Sequence, residues 1–391
     1  MNRKAIILPV QEIMVDFARL TGLKPAADHP RRYLWTDAFA VCSYLELFGR
    51  TCDPNCRDLG LRLIDQVHHT LGRHRDDDPR RGWISGLAEG EGEIHPTAGG
   101  LRIGKELNER GPGEPSDERL EWDRDGQYYH YLTKWMHALN CAGKVTGDPT
   151  YTRWAIELAE AAHAGFVRRS PRGGRKMIRW KMSIDLRRPL VSSMGQHDPL
   201  DGLVTYCELS AAGAGNSGQS PPLDLRSEIA EMMEICRGID LVTIDPLGIG
   251  GLLFDASRIG QLTVLGRLKD GGLLETVLEA ALVGMEAFVK GDALDRPAEY
   301  RLAFRELGLS IGLSAAEELL RLVEEKPGSF SERALIQGIV EDLVAYSPLR
   351  GVIEQFWMDH ENREARTWTD HREINMVMLA TSLAPRRFLT I

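Results

Sequence analysis

Apolar residues recur every three or four positions along most of the chain, and no stretch keeps the strict alternation of a half-buried strand. This rhythm predicts a helix over about 36–50, carried by Phe39, Val41, Tyr44, Leu45, Leu47 and Phe48, and a second over about 54–73. A third is expected over 127–144 and a fourth over 149–168. Further helical periods begin near Pro199, Leu223, Pro246, Gly272, Arg296, Ser331, Leu349 and Trp368, and a separate N-terminal helix covers about 11–20. Apart from that N-terminal helix, twelve helices pair into six hairpins. Only Met177–Leu186 has strand-like character, so at most one short β-hairpin is expected.

An internal echo supports the hairpin reading. Thr51-Cys-Asp-Pro-Asn-Cys-Arg-Asp-Leu-Gly-Leu-Arg-Leu63 aligns without gaps on Thr146-Gly-Asp-Pro-Thr-Tyr-Thr-Arg-Trp-Ala-Ile-Glu-Leu158. In each copy an aspartate, Asp53 or Asp148, is placed to accept an orphan N–H at the start of the hairpin's second helix. The proline behind it, Pro54 or Pro149, lacks the N–H that would otherwise go unpaired. The same Asp-Pro pair recurs at Asp198-Pro199 and Asp245-Pro246, so helix capping is the first explanation for those aspartates as well.

Three segments break the rhythm: 75–126, 169–196 and the Gly/Ser-rich 211–222. Long loops in compact domains are usually functional or disordered. The first holds Trp83, His95, Trp122 and an aspartate pair, too much aromatic and charged character for simple disorder. The expected organisation is therefore one domain over 1–391 with a long loop inserted at about 75–126. A 391-residue chain exceeds the usual limit of a single core, but helical repeats escape that limit because each unit packs only on its neighbours.

Composition narrows the functional classes. With 43% apolar and 27% charged residues the chain is ordinary globular protein, and a net charge of -9 argues against a general nucleic-acid binder. The opening Met1-Asn-Arg-Lys-Ala-Ile-Ile-Leu-Pro-Val is too short for a signal or a membrane span, so no membrane association and a cytoplasmic location are expected. Six cysteines in a chain of this length read as reduced thiols.

Two helix entrances concentrate the candidate chemistry. Glu121-Trp-Asp-Arg-Asp-Gly-Gln-Tyr-Tyr-His130 leads into the third helix, bringing Asp123 and Asp125 together with Trp122 and Tyr128. Rings stack on the apolar faces of pyranoses, and a carboxyl group among rings has its pKa raised toward an acid's role. Gln196-His-Asp-Pro-Leu-Asp-Gly202 leads into the fifth helix, where His197 has no capping function and Asp201 would sit in the first turn. The expected catalytic set is Asp123 or Asp125 as acid and Asp201 as base, with His197 catalytic or holding substrate. Trp122, Tyr128, His95, Arg102, Lys105, Gln196 and Asp198 are expected around the substrate.

Other motifs carry less. Gly99, Gly104 and Lys105 fit a phosphate-loop spacing, but Glu106 stands where the magnesium-binding hydroxyl belongs and no strand precedes the loop, so a nucleotide loop is rejected. A Gly-rich lid presenting Arg102 and Lys105 to an acidic substrate group remains. The helically spaced His68, His69 and His74, and His130 and His137, lack any metal-ligand signature and are read as structural. No metal or cofactor is expected.

Tyr131-Leu-Thr-Lys-Trp-Met-His-Ala-Leu139, followed by Thr146-Gly-Asp-Pro-Thr-Tyr151 and Ala155-Ile-Glu-Leu-Ala159, resembles the (α/α)6 six-hairpin glycosidase-like superfamily. There an inner helix with aromatic and Ala-Leu positions passes through a Thr-Gly-Asp turn into an outer helix. The resemblance covers about 30 residues, with a weaker copy at 45–63, and matches no member's catalytic motif. It implies an all-α (α/α)6 toroid with its site in a cleft at one end, in a superfamily of inverting hydrolases, unsaturated-uronyl hydrolases, sugar 2-epimerases and uronate lyases.

The resulting expectation is a glycoside hydrolase working on a small-molecule or oligosaccharide substrate with a carboxylate pair. The sites of Asp37, Asp123, Asp125, His197, Asp198, Asp201 and Asp245 are expected at one mouth. The alternatives are a sugar epimerase or uronate lyase with a histidine base, a terpenoid cyclase-like toroid, and a non-catalytic helical scaffold.

Overall fold

The computed structural model describes residues 3–169, 174–213, 224–269 and 271–391. They divide into two compact units, one formed by Met1–Phe17, Gly49–Cys52 and Asp240–Ile391, the other by Ala18–Phe48 and Asp53–Ile239. Helices dominate both. In chain order they are α1 (Arg3–Leu20), α2 (Leu34–Thr51), α3 (Pro54–Leu71), α4 (Glu89–Ile94), α5 (Glu118–Asp123), α6 (Tyr129–Thr146), α7 (Pro149–Phe166), α8 (Asp198–Gly213), α9 (Arg226–Cys236), α10 (Pro246–Val264), α11 (Leu273–Val289), α12 (Ala303–Glu325), α13 (Arg333–Val344), α14 (Pro348–Met358), α15 (Arg366–Thr369), α16 (Arg372–Leu383) and α17 (Arg386–Leu389). No described helix is long and apolar enough to cross a membrane.

In the larger unit, α6 packs on α7 and α8, and α8 packs on α9. Close approach depends on small residues: a Cβ at Gly202 would run into the Tyr129 hydroxyl and the Met232 methyl, so α8 sits tightly against its neighbours. The Asp-Pro caps form as the sequence predicts. Asp53 accepts from the Asn55 N–H and Asp148 from the Thr150 N–H, each with proline in the first turn. Gly147 ends α6 in the left-handed conformation at φ 73°, joining the hairpin to α7.

Two minimal antiparallel ladders stand where one hairpin is expected within 177–186. Strands β2 (Val167–Arg169) and β3 (Lys176–Ile178) pair with each other, while β1 (Gln127–Tyr128) pairs with β4 (Lys181–Met182). The predicted strand segment thus does not fold on itself. Its two halves extend separate helix ends, because only Arg179 and Trp180 lie between them. The long 75–126 segment is ordered and built around Trp83, which is fully buried with the Arg73 guanidinium over its ring at 4.4 Å. Gly92 lies so close to that indole that any side chain would overlap it. The predicted break at 211–222 lies mostly outside the described residues, and α8 runs through its first part.

In the other unit α12 is the central helix, touching α10, α13, α14 and α16. The α10–α12 contact is backbone against backbone, since Cβ atoms at Gly250, Gly308 or Gly312 would strike the facing helix. The helix expected from Arg296 begins only at Ala303, after two short 3-10 turns, and the one expected from Trp368 divides into α15 and α16. Pro297 and the ion pair of Arg301 with Glu306 hold that late start, with the Trp357 indole N–H also donating to Glu306 at 2.8 Å.

The capping account has a direct consequence. Asp148→Ala leaves the α7 N-terminus without its acceptor and is expected to cost about 1 kcal/mol. Urea unfolding checks it, and an unchanged midpoint would remove the cap from the account of this turn.

Candidate active site

The start of α6 is fixed from outside the helix. Tyr129 donates its N–H to the Trp180 carbonyl at 3.3 Å, so the β4 segment supplies a partner that the first turn lacks. This places three rings together. Tyr128 and Trp180 stack with centroids 5.0 Å apart and planes at 26°, and His130 lies 6.3 Å from Trp180 at only 8°. Trp122, 55% exposed on α5, meets Trp180 edge-on at 5.0 Å. Tyr128, Trp122 and Trp180 line a cleft of about 640 Å³ together with Arg179, Lys181 and Ser192. Burial pulls the Lys181 ammonium down to about 8, although Glu121 opposes the shift, and the amine lies 5.4 Å over the Tyr128 ring.

The first two turns of α6 and the first turn of α8 bring two carboxyl groups beside a histidine and a lysine, none of which lines that cleft. Asp201 is 2.7 Å from Lys134 Nζ and accepts the Thr133 hydroxyl at 2.5 Å. Asp198 is 6% exposed, and its Oδ1 lies 3.7 Å from His130 Nδ1, beyond hydrogen-bonding range. Among the described residues neither His130 Nδ1 nor Asp198 Oδ2 has a hydrogen-bond partner. Burial, reinforced by Asp201 and opposed by Lys134, lifts the Asp198 carboxyl from its ordinary 3.8 up to about 8. Burial and Lys134, opposed by Asp201, pull His130 down to about 4, so its imidazole is neutral at pH 7.

Asp198 owes this freedom to a one-residue shift. At Asp53, Asp148 and Asp245 the aspartate precedes the helix and caps it. At Asp198-Pro199 the helix begins on Asp198 itself, and the His197 carbonyl accepts the Asp201 N–H at 3.0 Å. The capping explanation is therefore corrected for Asp198, whose side chain instead rests against Gly195, where a Cβ would collide with the carboxyl group.

The other sequence candidates fall in different places. Asp125 is fully buried. It holds Arg102 Nη1 at 2.5 Å and accepts the N–H groups of Gly104 and Gly126 at 3.1 and 3.0 Å, so it serves as an anchor. It is not the α6 cap, which is Tyr128. Arg102, expected on a substrate lid, spends its remaining donors on the Arg73 and Thr70 carbonyls. Lys105 lies over the Tyr33 ring at 5.4 Å. His95 is paired with Glu157 of α7 at 2.9 Å. Asp123 is exposed at the end of α5, Gln196 is exposed, and His197 is half-buried before α8. Asp37 is buried at the start of α2, accepting the Tyr33 N–H at 3.0 Å, with burial raising it to about 6 against the pull of Arg32. Asp245 caps α10 in the other unit and pairs with Arg305 at 2.9 Å.

Sequence reasoning missed His130, Lys134, Trp180 and Lys181. The available signal was helical spacing: Lys134 follows His130 by four residues, so both face the same side of α6.

No family model matches the chain, and no curated protein matches it. Among solved structures it is similar to a GH76 α-mannanase from Bacteroides thetaiotaomicron, with a TM-score of 0.51 and 8% identity over 97% of each chain. It is also similar to a cellobiose 2-epimerase from Spirochaeta thermophila (TM-score 0.49, 12% identity, 95% of this chain and 97% of that one). A sugar epimerase from a ruminal bacterium matches at TM-score 0.45 and 11% identity, over 87% of this chain and 86% of the other. The mannanase likeness shows the fold: helix hairpins of the all-α (α/α)6 toroid class that the Tyr131–Ala159 segment resembles.

Two measurements follow from these environments. Asp125→Ala leaves the Arg102 guanidinium buried without its counter-charge and is expected to cost about 3 to 5 kcal/mol in urea unfolding. A loss below about 1 kcal/mol would remove Asp125 from its anchoring role. Asp198 keeps its proton to higher pH when folded than when unfolded. The stability this contributes is full below about pH 4 and is lost as pH rises through about 8. Asp198→Asn should therefore gain stability relative to the parent between about pH 5 and about pH 9. A constant difference would mean that the carboxyl titrates normally.

Proposed function

We propose that the chain is a carbohydrate-active enzyme, a glycoside hydrolase whose acid is Asp198 and whose second carboxylate is Asp201. The observation that carries this reading is the buried Asp198 carboxyl with an unpartnered oxygen, one helical turn from an aspartate ion-paired to Lys134, and burial lifts the Asp198 carboxyl to about 8. A buried carboxyl group that keeps its proton beside a second carboxyl held by a lysine is an arrangement suited to glycosidic cleavage. Asp198 would donate its proton to the departing glycosidic oxygen. Asp201 would act at the anomeric carbon, either directly or by deprotonating a water. Trp122, Trp180 and Tyr128 supply faces on which a sugar ring stacks, with the exposed Ser192 and Ser193 as polar groups along the cleft.

The expected acid and base thus keep Asp201 and move from Asp123 or Asp125 to Asp198, because Asp125 is held by Arg102. Gln196 and His197 remain on the substrate side, at the approach to α8. The mannanase of the same fold makes α-mannosides the first substrates to try. The net charge of -9 and six cysteines without a disulfide fit a cytoplasmic enzyme with no nucleic-acid partner.

Purified protein is to be assayed against α- and β-linked oligosaccharides, with the first-formed anomer read by proton NMR. Asp198→Asn and Asp201→Asn should each lower kcat by roughly 100- to 10,000-fold. A general acid must hold its proton, so kcat is expected to persist below about pH 8 and decline above it. Full activity in Asp198→Asn would end the assignment.

A second reading, proton transfer alpha to a carbonyl as in an epimerase or lyase, is favoured by one observation: His130 is neutral and its Nδ1 has no partner. In deuterated water that reaction places deuterium on the sugar carbon alpha to the carbonyl and is abolished by His130→Ala. Hydrolysis leaves that carbon unlabelled.

A further inference from the structure

Deep in the larger unit, one turn along α6 from Lys134, α2 and α6 bring two thiols and an imidazole together. Cys42 comes from α2. His137 and Cys141 are four residues apart on one face of α6, and all three are buried. The two Sγ atoms and a ring nitrogen of His137 all lie within 4.8 Å of one another, and Cys141 Sγ is 3.6 Å from His137 Nε2. In a tetrahedral zinc centre with Zn–S about 2.3 Å and Zn–N about 2.0 to 2.1 Å, a sulfur and a nitrogen ligand stand about 3.6 Å apart. The observed spacing is that of two ligands sharing one ion.

The surroundings add a feature that thiol packing alone does not require. His137 Nδ1 lies 3.0 Å from each oxygen of the buried Glu208 on α8, and Asn140 Nδ2 donates to the same carboxylate at 2.7 Å. A carboxylate on Nδ1 fixes the proton there and leaves the Nε2 lone pair pointing toward the thiols, which is the usual support of a metal-bound histidine. Asn140 also receives the Thr152 hydroxyl at 3.4 Å, so the support reaches α7. Two thiolates offset the charge of a divalent ion, giving a neutral centre suited to a dry interior.

We infer that Cys42, His137 and Cys141 form a binding site for a soft, thiol-seeking metal ion, zinc(II) or copper(I), with Glu208 positioning His137. Binding forms two metal–sulfur bonds and one metal–nitrogen bond and releases the thiol protons to solvent. The ion joins α2 to α6 within their unit and takes no part in the proposed sugar chemistry.

The full-length chain, purified without chelator and exchanged into metal-free buffer, is to be analysed by elemental mass spectrometry. About one zinc or copper ion per chain is expected, and the same measurement says which. Reconstitution with cobalt(II) should give a thiolate-to-cobalt charge-transfer band. Cys42→Ser should lose the charge-transfer intensity from one thiolate, and Glu208→Gln should weaken binding by roughly 10- to 100-fold while keeping the spectrum. Should Cys42→Ser fail to fold, the parent protein's cobalt spectrum and its melting temperature with and without chelator still decide the matter. Folded parent protein with no bound metal and no cobalt–thiolate band overturns the inference, as does a Cys42–Cys141 disulfide in a non-reduced digest.

Discussion

The buried ion pair of Asp125 with Arg102 governs where the candidate site can form. Arg102 ties the end of α3 to the 99–104 loop through the Thr70 and Arg73 carbonyls. Asp125 draws in the Gly104 and Gly126 N–H groups. Three chain segments are thereby held at one point, three residues ahead of the Tyr128 cap. The pairing of β1 with β4 then follows, with Tyr128 opposite Lys181. Trp180, carried on the same segment, closes the first turn of α6 and stacks near His130. The glycines that sequence spacing offers as a phosphate loop serve this packing: Gly104 has φ 94° and a side chain there would strike the Arg32 carbonyl, while a side chain at Gly99 would strike the Ser85 backbone.

Much of this was legible in the chain. Periodicity located the long helices because each buries one continuous face, and Asp-Pro marked three helix starts because capping is local chemistry. The fold class followed from hairpin rhythm and one 30-residue segment. Periodicity could not say that the Asp198-Pro199 pair is displaced inward by one residue, since that depends on His197 supplying the first accepting carbonyl. A shift of one position changes Asp198 from a helix cap into a buried acid.

The candidate site was half legible for the same reason. Trp122, Tyr128, Asp198 and Asp201 lie on two helix entrances that stand out as polar and aromatic clusters. Asp125 belongs to the same cluster, yet its partner is 23 residues upstream in a loop without regular structure, so its anchoring function needed tertiary contacts to see. Lys134 meets Asp201 across 67 residues and His137 meets Glu208 across 71, and nothing in local spacing distinguishes such residues from ordinary helix surface.

The division of the chain into units has a consequence for how the protein is made. Residues through Phe17 belong with the unit whose main body begins at Asp240, while the intervening unit draws almost wholly on Ala18–Ile239. Val10, Met14 and Phe17 therefore emerge from the ribosome long before most of their partners exist. During synthesis the larger unit can assemble first, leaving the buried side chains of α1 exposed until the chain beyond Asp240 arrives. That interval, more than the finished structure, is when the chain is most open to aggregation and to chaperone binding.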